Sequence, residues 1–181
     1  EALAESVNSV SAFLIKQFGP NAVIEITRKM GITSPMDPYP AICLGTPDIS
    51  VYEMTGAYAT FANKGVWTEP IFLTRIEDKN GVVLQEFVPK KVEALSEETA
   101  YVTLSLLKGV VEVGTGVRLR YKYGLANPIA GKTGTTQNQS DGWFVGITPE
   151  LVSGVWVGCE DRSIHFRTTT LLQGANTPFR I

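Results

Sequence analysis

The densest run of chemically capable side chains in the 181-residue chain is Gly131-Lys132-Thr133-Gly134-Thr135-Thr136. A strand with this content offers a fixed positive charge, a backbone that a ligand can approach without meeting a Cβ, and hydroxyl donors for a carboxylate. It predicts an anion clamp on a sheet edge. It is not a nucleotide phosphate loop, because GxxxxGK[ST] needs an earlier glycine where Ala126 stands. Threonines also favour ordinary strands, so the string by itself fits a purely structural strand as well. Strict alternation sets Thr133 and Thr135 on one side of the strand and Lys132 on the other. For the three to converge, Lys132 must reach around the strand edge.

The second candidate is Ser6-Val7-Asn8. Helical residues two apart do not face each other, so a joint polar role requires these two in the turn before a helix. A plain N-cap, with Ser6 or Asn8 accepting a backbone N–H, accounts for the same residues. By letters, Ser105-Leu106-Leu107-Lys108 is a Ser-x-x-Lys pair, but Leu104 and Leu107 of an amphipathic helix adjoin Ser105, which reads as packing or surface. His165, the only histidine, lies in an apolar-polar alternation and receives no metal or base role. Cys43 and Cys159 form no CxxC or Cys/His cluster, so they read as two free, partly buried thiols. The Tyr121-Lys122-Tyr123 patch reads as a solvated loop.

The elements that position these residues follow from period and punctuation. Val7, Val10, Leu14 and Phe18, with Phe13 alongside, predict a helix stopped by Gly19-Pro20. A second helix covers Ala22 to Lys29 and ends at Gly31, and the proline-rich residues 33–50 form a structured loop. Val51, Met54, Tyr58 and Phe61 give a third helix, closing at Asn63-Lys64-Gly65. Asn80-Gly81 between two apolar runs predicts a β-hairpin, and Ser96 opens a further helix that carries Tyr101, Leu104, Leu107 and Val111 to a stop at Gly114 and Gly116. Residues 117–128 are expected as an exposed loop. Ile129 to Thr136, Gly142 to Thr148 and Leu151 to Gly158 are strands, the last two antiparallel because so short a link forbids a parallel crossover. Helices followed by a small antiparallel sheet make an α+β fold.

Composition sets outer limits. The 16 basic and 18 acidic side chains leave a net charge of -2, which excludes a polybasic nucleic-acid binder. With 44% hydrophobic and 19% charged residues the chain is globular, and no stretch approaches the roughly 20 apolar residues of a membrane-spanning helix. Glu1 in place of Met, running straight into an apolar-periodic segment, leads us to expect a soluble piece cut from a longer protein.

Taken together, Ser-x-Asn, a helical insert and Lys-Thr-Gly-Thr are the tail of a three-part signature whose first part is Ser-x-x-Lys. The segments Leu107-Lys108-Gly109-Val110-Val111-Glu112-Val113-Gly114-Thr115-Gly116, Gly131-Lys132-Thr133-Gly134-Thr135-Thr136, Asp141-Gly142-Trp143-Phe144-Val145-Gly146-Ile147-Thr148-Pro149 and Gly154-Val155-Trp156-Val157-Gly158 appear in one order. In that order they resemble the transpeptidase domain of class A, bifunctional penicillin-binding proteins. The resemblance covers nearly the entire chain, and the ending, Glu160 to Phe166, is similar to forms from the Bacteroides group.

The resemblance implies a partial penicillin-binding-protein/serine β-lactamase-like fold, lacking its first strands, its nucleophile helix and its C-terminal helix. It divides the chain into residues 1–65, helical and carrying Ser-x-Asn; 66–95, a hairpin insert; 96–116, a helix; and 129–160, the sheet with Lys-Thr-Gly-Thr. It implies a serine acyl-enzyme mechanism in which the nucleophile attacks the D-Ala-D-Ala carbonyl of a peptidoglycan stem peptide, and an amine from a neighbouring strand resolves the intermediate. Ser6 would relay a proton, Asn8 would bond the substrate's amide backbone, and Lys132 would supply positive potential. Thr133 and Thr135 would hold the terminal carboxylate alongside Gly134 and Thr136, and the Thr135 N–H would face the oxyanion. β-Lactam antibiotics would acylate the same nucleophile.

That nucleophile belongs upstream of Ser-x-Asn, so this piece is expected to be inactive alone. No cofactor and no metal are called for, and nucleic acid is not a partner. The parent is expected to be anchored on the periplasmic side of the inner membrane, with glycosyltransferase activity in a separate domain. An uncovered apolar face around Trp143, Val145, Val155 and Val157 would invite a homodimer. The alternatives are a serine β-lactamase-type hydrolase, disfavoured because no Glu-x-x-Leu-Asn string lies between Asn8 and Lys132, or a non-catalytic penicillin-recognising sensor.

Overall fold

The computed structural model describes residues 1–161, 163–168, 174 and 177–180. The chain opens with helix α1 (Asn8–Phe18), whose end is closed by the Gly19 N–H on the Ile15 carbonyl at 2.9 Å. Pro20 then stands first in α2 (Pro20–Lys29), where its missing N–H costs nothing. The predicted apolar stripe of α1 is not its packed face: Val7, Val10, Phe13, Leu14 and Phe18 are exposed, and Ile15 is the buried residue. The packed side of α1 lies against the 3₁₀ turn Pro40–Leu44, which the proline-rich loop forms.

Helix α3 (Val51–Ala62) begins with a reciprocal capping box, Ser50 with Glu53. The Glu53 carboxylate does more than cap. It accepts the Thr33 N–H and hydroxyl, both at 2.7 Å, the Ser34 N–H at 2.9 Å and the Ser34 hydroxyl at 2.5 Å. The loop after α2 is thereby pinned to the start of α3.

Four short strands follow. β1 (Val66–Thr68) pairs antiparallel with β4 (Lys91–Glu93), and between them β2 (Arg75–Glu77) and β3 (Val83–Glu86) form the predicted hairpin. Its turn is held by Asp78 Oδ1, which accepts the Asn80 and Val82 N–H groups, while Gly81 takes a φ of 82° that a side chain would resist. The β1–β4 pair was not legible in the sequence, since strands of three residues carry too little alternation.

Ser96 caps α4 (Glu97–Glu112) through the Thr99 N–H at 3.2 Å. The region expected as an exposed loop instead contains a helical turn, α5 (Arg118–Tyr121), with Leu119 buried. The reason is local: Arg120 donates to the Leu125 and Asn127 carbonyls and folds the basic segment back on itself.

The main sheet has the order β5 (Ala130–Thr135), β6 (Asp141–Ile147), β7 (Val152–Gly158), all antiparallel. Helix α4 packs on β5 and α3 on β7. Leu107, Ala130 and Ile147 form one buried cluster with Tyr58 and Phe61, and burial pushes the Tyr58 phenol up to about 12. Val111, Leu119 and Ile129 form a second cluster, joined by Phe144 and Phe179.

The expected uncovered face is corrected by the register. Val145 pairs with Gly154 and Trp143 with Trp156, so Trp143 and Val145 share one face while Val155 and Val157 lie on the other. Val145 is only 3% exposed, and on the opposite face Phe179 stacks edge-on against Phe144 at 4.5 Å. The four residues form no single patch, which removes the basis for a sheet-mediated pair. Cys43 and Cys159 are free and half-buried, as expected.

Glu53→Gln is expected to lower the unfolding free energy by on the order of 2 kcal/mol, because it removes a charged acceptor from several donors. Burial pushes the Glu53 carboxyl up, but the hydroxyl and N–H donors of Ser34 and Thr33 outweigh it and hold the group well below the usual carboxylate range. A lowered folded pKa means that the stabilisation is complete above the ordinary value of 4.5 and fades as pH falls below it. Denaturant midpoints measured from about pH 6 to about pH 3 should therefore drop more steeply for the unaltered protein than for the variant. Equal slopes would contradict the assignment.

Candidate active site

The chain's first turn decides where Ser6 points. Glu5 N–H bonds to the Glu1 carbonyl at 3.0 Å and Val7 N–H to that of Ala2 at 2.9 Å, so residues 1–7 coil tightly before α1 begins. Ser6 sits in that coil at φ 54°, a left-handed conformation that costs a non-glycine residue about 1–2 kcal/mol. The N-cap of α1 is Val7, with no side-chain cap hydrogen bond, and Asn8 is the first helical residue. The capping explanation for Ser6 and Asn8 therefore fails.

Ser6 Oγ instead accepts a hydrogen bond from Lys132 Nζ. These residues are 126 positions apart in the chain. Lys132 pairs with Val145 across the β5–β6 register, so its stem starts on the face carrying Val145, and its amine turns back to donate also to the Thr133 carbonyl at 2.8 Å. The reach around the edge strand is thus made by the long side chain itself. Burial lowers the Lys132 pKa by disfavouring the charged form.

The remaining candidates divide by what their hydroxyls meet. Thr133 Oγ1 lies 2.6 Å from Thr115 Oγ1, on the turn that follows α4. Thr135 is exposed, and its hydroxyl accepts the Gly174 N–H at 2.8 Å. Gly134 pairs with Trp143 in the sheet. The Thr136 hydroxyl accepts the Asp141 N–H at 3.0 Å and so serves the β5–β6 connection. Ser105 and Lys108 are both exposed on α4, and neither takes part in these contacts.

Thr115 is a site residue to which the sequence assigns no role, since Gly114-Thr115-Gly116 reads there as a helix stop and as the end of one family motif. The Thr115 N–H bonds to the Ala4 carbonyl at 3.1 Å, and a Cβ on Gly114 would overlap that same carbonyl. Glycine is required there so that the Ser6 coil can lie directly on the turn after α4. A threonine between two glycines was the available signal. Chemically, the cluster combines a cationic amine, a serine hydroxyl within its reach and threonine hydroxyls along one strand, which suits an acid-bearing ligand and proton transfer beside it.

Residues 41–158 match the family described as the penicillin binding protein transpeptidase domain. Penicillin-binding protein 1A of Aquifex aeolicus is 40% identical over 157 residues, covering 87% of this chain and 21% of that protein. Penicillin-binding protein 1B of Vibrio cholerae is 32% identical over 181 residues, 99% of this chain and 22% of that protein. The chain thus spans about a fifth of the length of the curated relatives it matches. Among solved structures, the PonA1 protein from Mycobacterium tuberculosis in complex with penicillin V is similar with a TM-score of 0.80 at 27% identity, over 98% of this chain and 52% of that one. Penicillin-binding protein 1A from Haemophilus influenzae shares the fold with a TM-score of 0.82 at 24% identity, over 91% of this chain and 30% of that one.

The depressed Lys132 pKa gives a signed expectation. A lysine whose folded pKa lies below its unfolded value opposes folding while it must carry its charge, and that penalty is relieved as pH rises from the folded pKa towards 10.5. Reductive ¹³C-methylation followed by NMR titration should show Lys132 losing its proton at a lower pH than the other lysines. Titration of Lys132 at or above 10.5 would contradict the buried, Ser6-bonded geometry.

Proposed function

Because the chain belongs to the transpeptidase domain family of class A penicillin-binding proteins, we propose that it supplies the carboxylate-binding and proton-relay half of a peptidoglycan cross-linking D,D-transpeptidase site. The observation that carries this reading is the hydrogen bond from Lys132 to Ser6, with Thr133 and Thr135 on the same strand. The substrate is a stem peptide ending in D-Ala-D-Ala, and β-lactams enter as its mimics. The acyl-forming serine, part of a Ser-x-x-Lys pair, comes from parent sequence preceding Ser6.

In this mechanism the Thr133 and Thr135 hydroxyls hold the terminal carboxylate in the positive field of Lys132. Asn8 bonds the peptide amide. As the nucleophile attacks, negative charge builds on the carbonyl oxygen and the Thr135 N–H stabilises it, a donor of the kind whose removal costs about 10²- to 10³-fold in rate. As the C–N bond breaks, Ser6 gives its hydroxyl proton to the departing D-alanine nitrogen and is reprotonated through the Lys132 amine bonded to it. The proton that the nucleophile loses on attack makes good the relay. A lysine of lowered pKa suits this relay, since proton transfer is easiest when donor and acceptor pKa values approach one another. The parent is anchored at the membrane with this domain on the periplasmic side. Among the described residues of this chain no helix is long and apolar enough to cross a membrane.

The test is acylation by a fluorescent penicillin. The full-length parent protein should be labelled, Lys132→Ala should slow labelling by about 10²-fold or more, and Ser105→Ala should label like the unaltered protein. The 181-residue chain alone should remain unlabelled. Covalent labelling of that chain, abolished by Ser105→Ala, would overturn the placement of the nucleophile.

A further inference from the structure

Thr115 touches both halves of the cluster. Its backbone N–H donates to the Ala4 carbonyl at 3.1 Å, two residues before Ser6. Its hydroxyl oxygen lies 2.6 Å from that of Thr133, the residue after Lys132. Together with the bonds from Lys132 to Ser6 and to the Thr133 carbonyl, these contacts close a ring that runs Ser6, Ala4, Thr115, Thr133, Lys132 and back to Ser6. Gly114 is held at a spacing that admits no side chain between the turn and Ala4. The ring has no slack at Thr115.

The hydroxyl pair carries the chemistry. At 2.6 Å one of the two hydroxyls must donate to the other. If Thr133 spent its only proton on Thr115, it would turn lone pairs towards an incoming carboxylate and repel it. If Thr115 donates, Thr133 accepts from behind and keeps its proton for the ligand, and each bond polarises the next. Resting on the transpeptidase reading above, we propose that Thr115 is a positioning residue for substrate recognition. Its hydroxyl orients that of Thr133 towards the ligand's carboxylate, while its N–H fixes the Ser6 coil at a set distance from the same strand.

The experiment compares Thr115→Val, which keeps the shape and the N–H but removes the hydroxyl, with Thr115→Ser, which keeps the hydroxyl. Both are made in the full-length protein. Each is acylated with a penicillin and with the methyl ester of the same penicillin, which lacks the carboxylate charge, and adduct formation is followed by mass spectrometry. Thr115→Val should slow acylation by the free acid on the order of ten-fold, the worth of one well-placed hydrogen bond. The slower reaction of the ester should be unchanged, and Thr115→Ser should restore the acid rate to within about two-fold. Unaltered acid acylation in Thr115→Val would overturn the proposal, as would an equal fall for acid and ester, which marks a purely structural role. No acylation of the unaltered protein would overturn the transpeptidase reading itself, and this inference with it.

Discussion

The hydrogen bond between Lys132 and Ser6 is the constraint to which the rest of the molecule is fitted. Neither partner is placed by local preference. Ser6 occupies a left-handed backbone conformation within a coil that holds itself by short-range bonds, and Lys132 leaves a strand on which alternation alone would point it elsewhere. The two meet because α4 backs β5, and because the turn after α4 is bare enough at Gly114 for the first residues to lie on it. Desolvation of the amine follows from the same packing. A polar contact that costs both backbone strain and charge burial persists only where the surrounding core over-determines it.

That core is built in separate clusters. Met30, Ile32 and Ala57 anchor the helical region, and Leu107, Ala130 and Ile147 fasten α4 to the sheet. Val111, Leu119 and Ile129 hold the far side of β5 together with Phe144 and Phe179. Val110 and Val111 are fully buried on α4, which makes that helix the shared wall of the sheet and of the Ser6 coil. The Glu53 hub adds hydrogen bonds to the apolar contact between the end of α2 and the start of α3.

Much of this was legible in the sequence where a signal is local. The Gly19-Pro20 stop, the Asn80-Gly81 hairpin, the Ser96 cap and the three-residue link that forces β6 and β7 antiparallel are each written in a few adjacent residues. The ordered motifs gave the family, which the match over residues 41–158 bears out. What periodicity missed depends on distant partners. The apolar stripe of α1 predicted the helix, yet a stripe says only that a face is apolar and not that anything covers it. α5 is held by Arg120 reaching forward to carbonyls, a contact that composition reads as an exposed charge. The role of Thr115 was not legible because it lies in joining Ala4 to Thr133, residues far apart in the chain.

The torsion at Ser6 carries a consequence for anyone redesigning this chain. At φ 54° glycine would fit with less strain, so a purely thermodynamic optimisation of the sequence would select it there. It would also delete the hydroxyl on which the Lys132 amine rests. Backbone ease and the contact with Lys132 pull this one position in opposite directions, and a thermostabilised variant that is to keep that contact needs Ser6 held fixed.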